Sequence, residues 1–478
     1  MTTEATTHVR EQLESLGQAH VLRFFDDLDA AQQQALLGQL ESIDLDRLPA
    51  LIETYVQGKP DFGPSGALQP APYYPADPTN AAHPWDRDRY RAAGEQLIRD
   101  GKVSAFTVAG GQGSRLGFDG PKGKFPGGAA TGKPLFHCFA DWIVATRDRY
   151  GAAVPWYIMT SPINHDETVA FFRDHAFFGL PERDVMFFSQ GVMPSLAMET
   201  GHLLLSSKGA IATNPDGHGG SLKALWDSGA IRDMQSRGVE HISYFQVDNP
   251  IVRAIDPVFI GLHATAPDSS GEMSAKIVRK TDPAEKVGVI CEDGGVTKVI
   301  EYSDLPGELA EARAEDGSLR YCAGSIAIHV IGVDFVEKLN TADGGFALPF
   351  HRAEKKVPHI DAETGVPVSP DAPNAVKLET FVFDALPLCE KSLVYETERV
   401  EEFAPIKNAE GNDSPATCAQ LQTQRAAGWL EQAGFSVPRK ADGTPDCTIE
   451  ISPCTALWPE DLRGKDIPPI TPGDTVAL

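Results

Sequence analysis

Between residues 8 and 57 apolar side chains recur at three- and four-residue spacing: Leu13, Leu16, Val21, Leu22, Phe25, Leu28, Leu36, Leu37, Leu40, Leu48, Leu51, Ile52 and Val56. That period sets them on one stripe of a helix and predicts a small N-terminal helical unit. Seven prolines between Pro60 and Pro84 then fix φ and remove backbone donors, which predicts an extended connector. From residue 87 the pattern alternates between the two periods. A helical DRYRAAGEQLIRDG leads into the apolar run VSAFTVA, a glycine-rich turn, a helical LFHCFADWIVATRDRY and a second apolar run, VPWYIMTS. Strand–helix–strand order of this kind predicts an α/β, Rossmann-like core with a mainly parallel sheet covered by helices on both faces. HISYFQVDN reads as a further strand with Asp248 at its carboxyl end. AKIVRK, VGVICEDGGVTKVIEY and GSIAIHVI alternate in the β manner and predict a mixed or antiparallel extension of the sheet. After Ser414 a helical ATCAQLQTQRAAGWLEQAG and a proline-dotted tail predict a small C-terminal unit. The expected organisation is therefore residues 1–86 (helices and connector), 87–413 (catalytic-type core) and 414–478.

Charge narrows the partners. With 42 Lys+Arg against 67 Asp+Glu in 478 residues, the formal net charge is −25. A surface that acidic cannot displace counterions from a polyanion, which argues against nucleic acid or an anionic membrane as the main partner. Hydrophobic residues at 42% and charged residues at 23% provide for a sizeable core. The first residues, MTTEATTHVREQLES, have no apolar stretch behind a basic one, and no run of about 18 apolar residues occurs, so a cytoplasmic protein is expected. The seven cysteines (Cys138, Cys291, Cys322, Cys389, Cys418, Cys447, Cys454) are dispersed without a C-x-x-C pair and are expected as reduced thiols in core positions. The 13 histidines show no HExxH-type ligand spacing.

The most informative segment is Val108-Ala109-Gly110-Gly111-Gln112-Gly113-Ser114-Arg115-Leu116-Gly117-Phe118-Asp119-Gly120-Pro121-Lys122. A strand ending in closely spaced glycines lets backbone N–H groups approach an anion with no Cβ in the way, and a polyphosphate is the usual such anion. Arg115 can fork onto phosphate oxygens, and Lys122 supplies a point charge. Two better-known loops are excluded. A P-loop needs G-x-x-x-x-G-K-[ST], but Gly123-Lys124 is followed by Phe125; a dinucleotide fingerprint needs G-x-G-x-x-G, but Gly111-x-Gly113 is followed by Leu116 and only then Gly117. Asp248, closing an apolar strand, is placed either to hold a magnesium ion bridging phosphates or to cap the turn into Asn249-Pro250.

GGQGSRLG…PKGKFP resembles the signature of the eukaryotic-type UDP-sugar pyrophosphorylases. Further blocks follow in the same order: FFSQGVMPS, NPDGHGGSLKAL, QVDNPIVRAIDPVFIG, AEKVGVICEDGGVTKVIEYSDL, NAVKLETFVFDAL and EEFAPIKNAEG. The likeness covers about residues 100–415 and is nearest to the UDP-N-acetylhexosamine pyrophosphorylase branch. It implies a GT-A-like nucleotidyltransferase fold and a uridylyl transfer from UTP to a sugar 1-phosphate, most like N-acetylglucosamine 1-phosphate, with Mg2+ or Mn2+. It lays Val108, Ala109, Gly110 and Gly111 along the nucleotide, Arg115 on the β- and γ-phosphates, and Lys122 at the reacting phosphates. It assigns Asp248 to the metal, Lys377 to the nucleotide phosphates, Lys407 to the sugar phosphate, and Gln190 and Gly217 to uracil. It gives Glu301 and Tyr302 to sugar hydroxyls. Phe381 and Phe383, alternating along an expected strand, are placed either to wall the sugar site or to pack in the core. His218, Ser325 and Ile328 stand where that branch carries asparagines, and the resemblance sets His218 and Ile328 in the sugar-phosphate site, Ile328 at the position associated with the N-acetyl group. A histidine in the position of His218 is similar to the glucose and broad-specificity enzymes, so glucose or galactose 1-phosphate is the alternative acceptor. A binding protein without catalysis would be free to lose Arg115, Lys122, Asp248 or Lys407, and all four are present.

Overall fold

The computed structural model describes residues 3–60, 63, 68–342 and 345–478. They form two compact units: Met1–Phe62 with Gly191–Ser221 and Leu348–Val382, and Gly63–Gln190 with Leu222–Ala347 and Phe383–Leu478. Neither is continuous in sequence. The N-terminal helices pack with two excursions from the middle of the chain, while residues 414–478 belong to the unit that holds the main sheet.

That larger unit is built on a ten-stranded sheet. Along its path run Leu68–Pro70, Val289–Asp293, Ala323–Gly332, His241–Gln246, Val103–Val108, Trp156–Thr160 and Val185–Ser189. Met273–Arg279, Val296–Ile300 and Val394–Glu396 pair off this path. The last four strands of the path are mutually parallel, and Ala323–Gly332 joins them antiparallel, so the mixed sheet has the parallel core and antiparallel extension that the alternating periods predict. Parallel strands are covered on both faces, which is why VSAFTV and WYIMT read as unbroken apolar or small-residue runs and are almost wholly buried. The helix Leu135–Tyr150 covers one face with Phe136, Phe139, Trp142 and Ile143. The part of the proline-rich connector in the described residues supplies the edge strand Leu68–Pro70, antiparallel to Cys291–Asp293, where a missing N–H is tolerated. Residues 61–62 and 64–67 of the connector lie outside the described residues.

Register decides where chemistry can sit. Val108 pairs with both Gln246 and Met159, and Thr160 pairs with Ser189, so the carboxyl ends of the four parallel strands are level. The glycine-rich turn, Gln190 and Asp248 all follow these ends. This is the edge at which parallel α/β sheets bind ligands, because loops and backbone groups there are free of ladder pairing.

The C-terminal segment has a small core of its own around Trp429, Leu430, Ile449 and Leu462. Its helix Pro415–Gln432 starts on Ser414, whose hydroxyl accepts the Thr417 N–H at 3.3 Å. The segment also grips the loop that follows Lys122. Gln422 donates to the Gly127 carbonyl at 2.7 Å, and the Glu450 carboxylate accepts the Ala130 and Thr131 N–H groups, both at 2.9 Å.

In the smaller unit the helices Thr3–Ser15 and Ala30–Ser42 confirm the expected helical stripe. Leu13, Leu36, Leu37 and Leu40 are buried with Leu196, Leu203, Val376 and Leu378. Asp29 and Gln32 form a reciprocal capping box at the second helix. A three-stranded sheet joins His351–Lys355, Ala375–Glu379 and Leu196–Ala197. All seven cysteines are free thiols; Cys291, Cys322 and Cys418 are buried, whereas Cys454 is exposed rather than in a core position. Among the described residues no helix is long and apolar enough to cross a membrane.

A buried histidine ties this fold to pH. His263 is fully buried with Nδ1 at 2.9 Å from the Ser274 hydroxyl, and desolvation, with His241 adding to it, pushes its pKa down to about 3. The unfolded chain therefore takes up the proton first. Stability is full above the ordinary histidine pKa of about 6.5 and falls as pH drops through the window down to about 3. At roughly 1.4 kcal/mol per pH unit below 6.5, urea melts at pH 5.5 should lose about 1.4 kcal/mol relative to neutral pH on this account. The slope should flatten in His263→Gln, and an identical slope in both proteins would remove His263 as its source.

Candidate functional site

The strand Val103–Val108 ends at a loop that folds back on itself. The Ala109 N–H donates to the Met159 carbonyl at 2.7 Å and extends the ladder one step. The Gly113 N–H then donates to the Gly120 carbonyl at 3.0 Å, and the Lys122 N–H to the Gly111 carbonyl at 3.1 Å. This closure carries Lys122 back to the strand end, while the short helical turn Ser114–Leu116 presents Arg115 to solvent. Gly110 lies under the side chain of Gln190: a Cβ at Gly110 would stand 2.5 Å from the Gln190 Oε1, so a larger residue there would push the amide aside. Gln190 is itself buried and held by its N–H on the Thr160 carbonyl at 2.8 Å.

Four expected residues come together here. The Lys122 Nζ is 3.9 Å from the Asp248 Oδ2, and each side chain is 15% exposed. Burial lowers the Lys122 pKa; Asp248 opposes that shift, and the nearby charges of Lys407 and Arg115 reinforce it. Two cations bearing on a third that has one carboxylate beside it make a positive cluster within a chain of net charge −25. Their mutual repulsion is relieved by a bound polyanion, so the cluster is preorganised for phosphate rather than for internal pairing. The Lys407 Nζ also lies 3.9 Å from the Asp413 carboxylate and over the Phe403 ring. Among the described residues no group of three or more His, Cys, Asp or Glu side chains could enclose a metal ion.

Two further asparagines shape the site and escaped sequence reasoning. Asn164 is fully buried, accepts the Ser161 N–H at 2.7 Å, and donates to the Ala109 and Gly111 carbonyls at 3.0 and 3.3 Å. It thus holds the glycine-rich turn open from below. Asn249 does the same for the segment preceding Lys407. Neither has a motif of its own; Pro162 ahead of Asn164 and Pro250 after Asn249 mark turns, and only the fold brings their amides onto distant carbonyls.

Elsewhere in the larger unit, Glu301 ends the hairpin Val289–Asp293/Val296–Ile300, with its Oε1 3.1 Å from where a Cβ on Gly288 would be; Tyr302 beside it is exposed. Phe383 is buried. Ile328 is buried in the main hydrophobic core with Ile326 and Val330. Ser325 and Ala327 are the more exposed residues of this stretch, and Ala327 has a left-handed φ of 54°.

Gly217, His218, Lys377 and Phe381 belong to the smaller unit. Gly217 has φ 86°, and a Cβ there would stand 2.3 Å from the Thr380 carbonyl oxygen, so both backbone angle and close approach require glycine. The Phe381 ring is stacked on His218 at 5.2 Å and on His351 at 4.3 Å. The Val382 N–H donates to the His218 Nδ1 at 3.1 Å, which leaves the ring proton on Nε2. Burial, with His351 adding to it, pushes the His218 pKa down to about 4, so the ring is neutral at physiological pH. Lys377 lies half-buried in the strand Ala375–Glu379, opposite Ala353.

Known proteins resemble this chain over most of its length. The family model for UTP–glucose-1-phosphate uridylyltransferase matches residues 86–423. A UDP-N-acetylhexosamine pyrophosphorylase-like protein 1 from Xenopus tropicalis is 35% identical over 97% of this chain and 95% of its own length. The UDP-N-acetylglucosamine pyrophosphorylase of Saccharomyces cerevisiae is 34% identical over 96% of this chain and 98% of its own. The crystal structure of a Trypanosoma brucei uridine diphosphate N-acetylglucosamine pyrophosphorylase in complex with inhibitor shares the fold, with a TM-score of 0.79 at 24% identity over 97% of this chain and 95% of that one.

Proposed function

The chain belongs to the UTP–glucose-1-phosphate uridylyltransferase family, and from that premise we propose that it transfers uridylyl from UTP to N-acetylglucosamine 1-phosphate. An oxygen of the sugar phosphate attacks the α-phosphorus of UTP, the bond from that phosphorus to the bridging oxygen of the β-phosphate breaks, and pyrophosphate leaves with the bond electrons. No side-chain nucleophile is needed, because two anions must only be neutralised and aligned. The observation that carries this reading is Lys122 at the carboxyl edge of the parallel strands, with Asp248 3.9 Å from its Nζ and the charges of Lys407 and Arg115 bearing on it. Lys122 and Lys407 oppose the charge of the reacting phosphates, and Arg115 forks onto the departing pyrophosphate. Gly110 and Gly111 admit the nucleotide to the backbone, and Gln190 reads uracil with its amide. Within the smaller unit Gly217, His218, Lys377 and Phe381 keep the roles expected of them from the sequence.

A single strand-end carboxylate fits Mg2+ or Mn2+, an ion that keeps most of its ligands as phosphate oxygens and water. When bound to Asp248, the ion supplies further neutralisation of phosphate charge. Ile328 packs into the core, so the lack of an amide at that position does not weigh against an N-acetyl sugar.

The test is pyrophosphate release with UTP and a panel of N-acetylglucosamine, N-acetylgalactosamine, glucose and galactose 1-phosphates. The highest kcat/KM is expected for N-acetylglucosamine 1-phosphate; a preference for glucose or galactose 1-phosphate would replace the acceptor, and no turnover with any of them would remove the activity. Within the same assay Gln190→Ala should lower kcat/KM for UTP by about tenfold to a hundredfold, the cost of an unpaired buried base edge. Unchanged selectivity for UTP over CTP in that variant would release Gln190 from base reading.

A further inference from the structure

Asn249 follows the proposed metal carboxylate directly, is only 5% exposed, and uses both ends of its amide on one distant stretch of chain. Its Nδ2 donates to the Glu402 carbonyl at 2.6 Å, and its Oδ1 accepts the Ala404 N–H at 3.1 Å. The Asp248 carbonyl accepts the Ile406 N–H at 2.8 Å. The bonds fall on residues 402, 404 and 406, so 248–249 grip that stretch at every second residue, much as a neighbouring strand would. Lys407 is the next residue, and its own N–H is held on the Asp413 carbonyl at 2.6 Å.

Beneath this grip lies an ionic floor. The fully buried Glu402 carboxylate takes the Lys276 ammonium at 2.7 and 2.8 Å and the Thr397 hydroxyl at 2.7 Å. Glu401 takes Arg253 at 2.6 Å and the Trp429 indole at 3.0 Å, and Arg425 donates to the Ile251 and Glu401 carbonyls, both at 3.2 Å. A buried network of paired charges resists rearrangement, because removing any one member strands another. The floor therefore fixes residues 401–402, and Asn249 ties the strand end to them.

We infer that Asn249 is a positioning residue that sets the separation between the Asp248 carboxylate and the Lys407 ammonium by stapling the Lys407-bearing segment to the end of the His241–Gln246 strand. This rests on the roles proposed above for Asp248 and Lys407. Asn249 touches neither substrate; it acts through where Lys407 stands when the acceptor phosphate arrives. In-line transfer is sensitive to such placement, and a shift of about 1 Å can cost about a hundredfold in rate.

A double-mutant cycle on the full chain, with steady-state kinetics and thermal melts, tests this. Asn249→Ala should lower kcat, referred to the folded fraction measured by thermal melts and active-site titration, by about a hundredfold while KM for UTP stays within about threefold. In the Lys407→Ala background the same substitution should cost less than about threefold, because the residue it positions is gone. Equal losses in both backgrounds would overturn the inference and leave Lys407 in its role. A Lys407→Ala enzyme with wild-type kcat would overturn the reading of Lys407 itself, and the inference with it. Asn249→Ser, which keeps one polar atom in the gap, carries the same cycle and the same criteria if the alanine variant does not fold.

Discussion

Asp248→Ala should lower kcat by about 10³ or more, roughly 4 kcal/mol of transition-state stabilisation, with the fold intact. The carboxylate leaves the end of a strand whose ladder and buried side chains are untouched, and the main-chain carbonyl that holds Ile406 remains. What is lost is the negative side chain that, among the described residues, opposes the effect of burial on Lys122. Without it Lys122 keeps its burial and the repulsion of Lys407 and Arg115, so its pKa falls further and the cluster is less able to stay protonated in the free enzyme. A divalent ion would also lose its protein ligand. Asp248→Asn separates shape from charge: it keeps the volume and should lose nearly as much rate as alanine. Kinetics with Mg2+ and with excess EDTA, beside circular dichroism, decide the matter. Turnover near wild type in either variant, or full activity in EDTA, would dismiss Asp248 as the metal ligand.

Where local pattern and tertiary need coincide, the sequence was readable. The apolar runs VSAFTVA and VPWYIMTS, the helix behind Leu135 and the helical stripe from Leu13 to Leu40 all form as expected, because burial on both faces of a parallel strand and on one face of a helix leaves different periods. The glycine-rich turn was legible from its closely spaced glycines alone, although what Gly110 makes room for, the side chain of Gln190, lies far along the chain. Non-local placement was not legible. Nothing in residues 191–221 or 348–382 marks them as packing with the N-terminal helices, since their strands are short and their partners lie more than a hundred residues away. The attachment of Gln422 and Glu450 to the loop after Lys122 is hidden for the same reason. Ile328 shows the converse. Local alternation along Ala323–Gly332 suffices to bury its side chain with those of Ile326 and Val330.

Lys122 offers the second large effect and an internal control. Lys122→Ala should slow the single-turnover chemical step by about 10²–10³, the loss expected when one oriented cation is removed from reacting phosphates. The Lys122 N–H remains on the Gly111 carbonyl in that variant, so the turn should keep its closure. Lys124, two residues on, belongs to the same short helical turn and carries the same charge, yet its ammonium is taken by Glu167 at 2.6 Å and lies over the Phe171 ring. A sequence reading of PKGKFP cannot tell the two lysines apart; the pairing can. Lys124→Ala should therefore stay within about threefold of wild type, as expected for a partly exposed ion pair. Lys122→Arg should recover part of the rate, because charge is restored on a longer and flatter group that places it less well. The rate of Lys122→Ala also bears on the depressed pKa. In the free enzyme desolvation and the two neighbouring cations disfavour the charged lysine, and a bound triphosphate opposes both influences by adding negative charge. UTP binding should then draw a proton onto Lys122 at alkaline pH, measurable as a buffer-dependent heat in titration calorimetry that disappears in Lys122→Ala. A native circular dichroism spectrum with less than about threefold loss of rate in Lys122→Ala would place the reacting phosphates away from this turn.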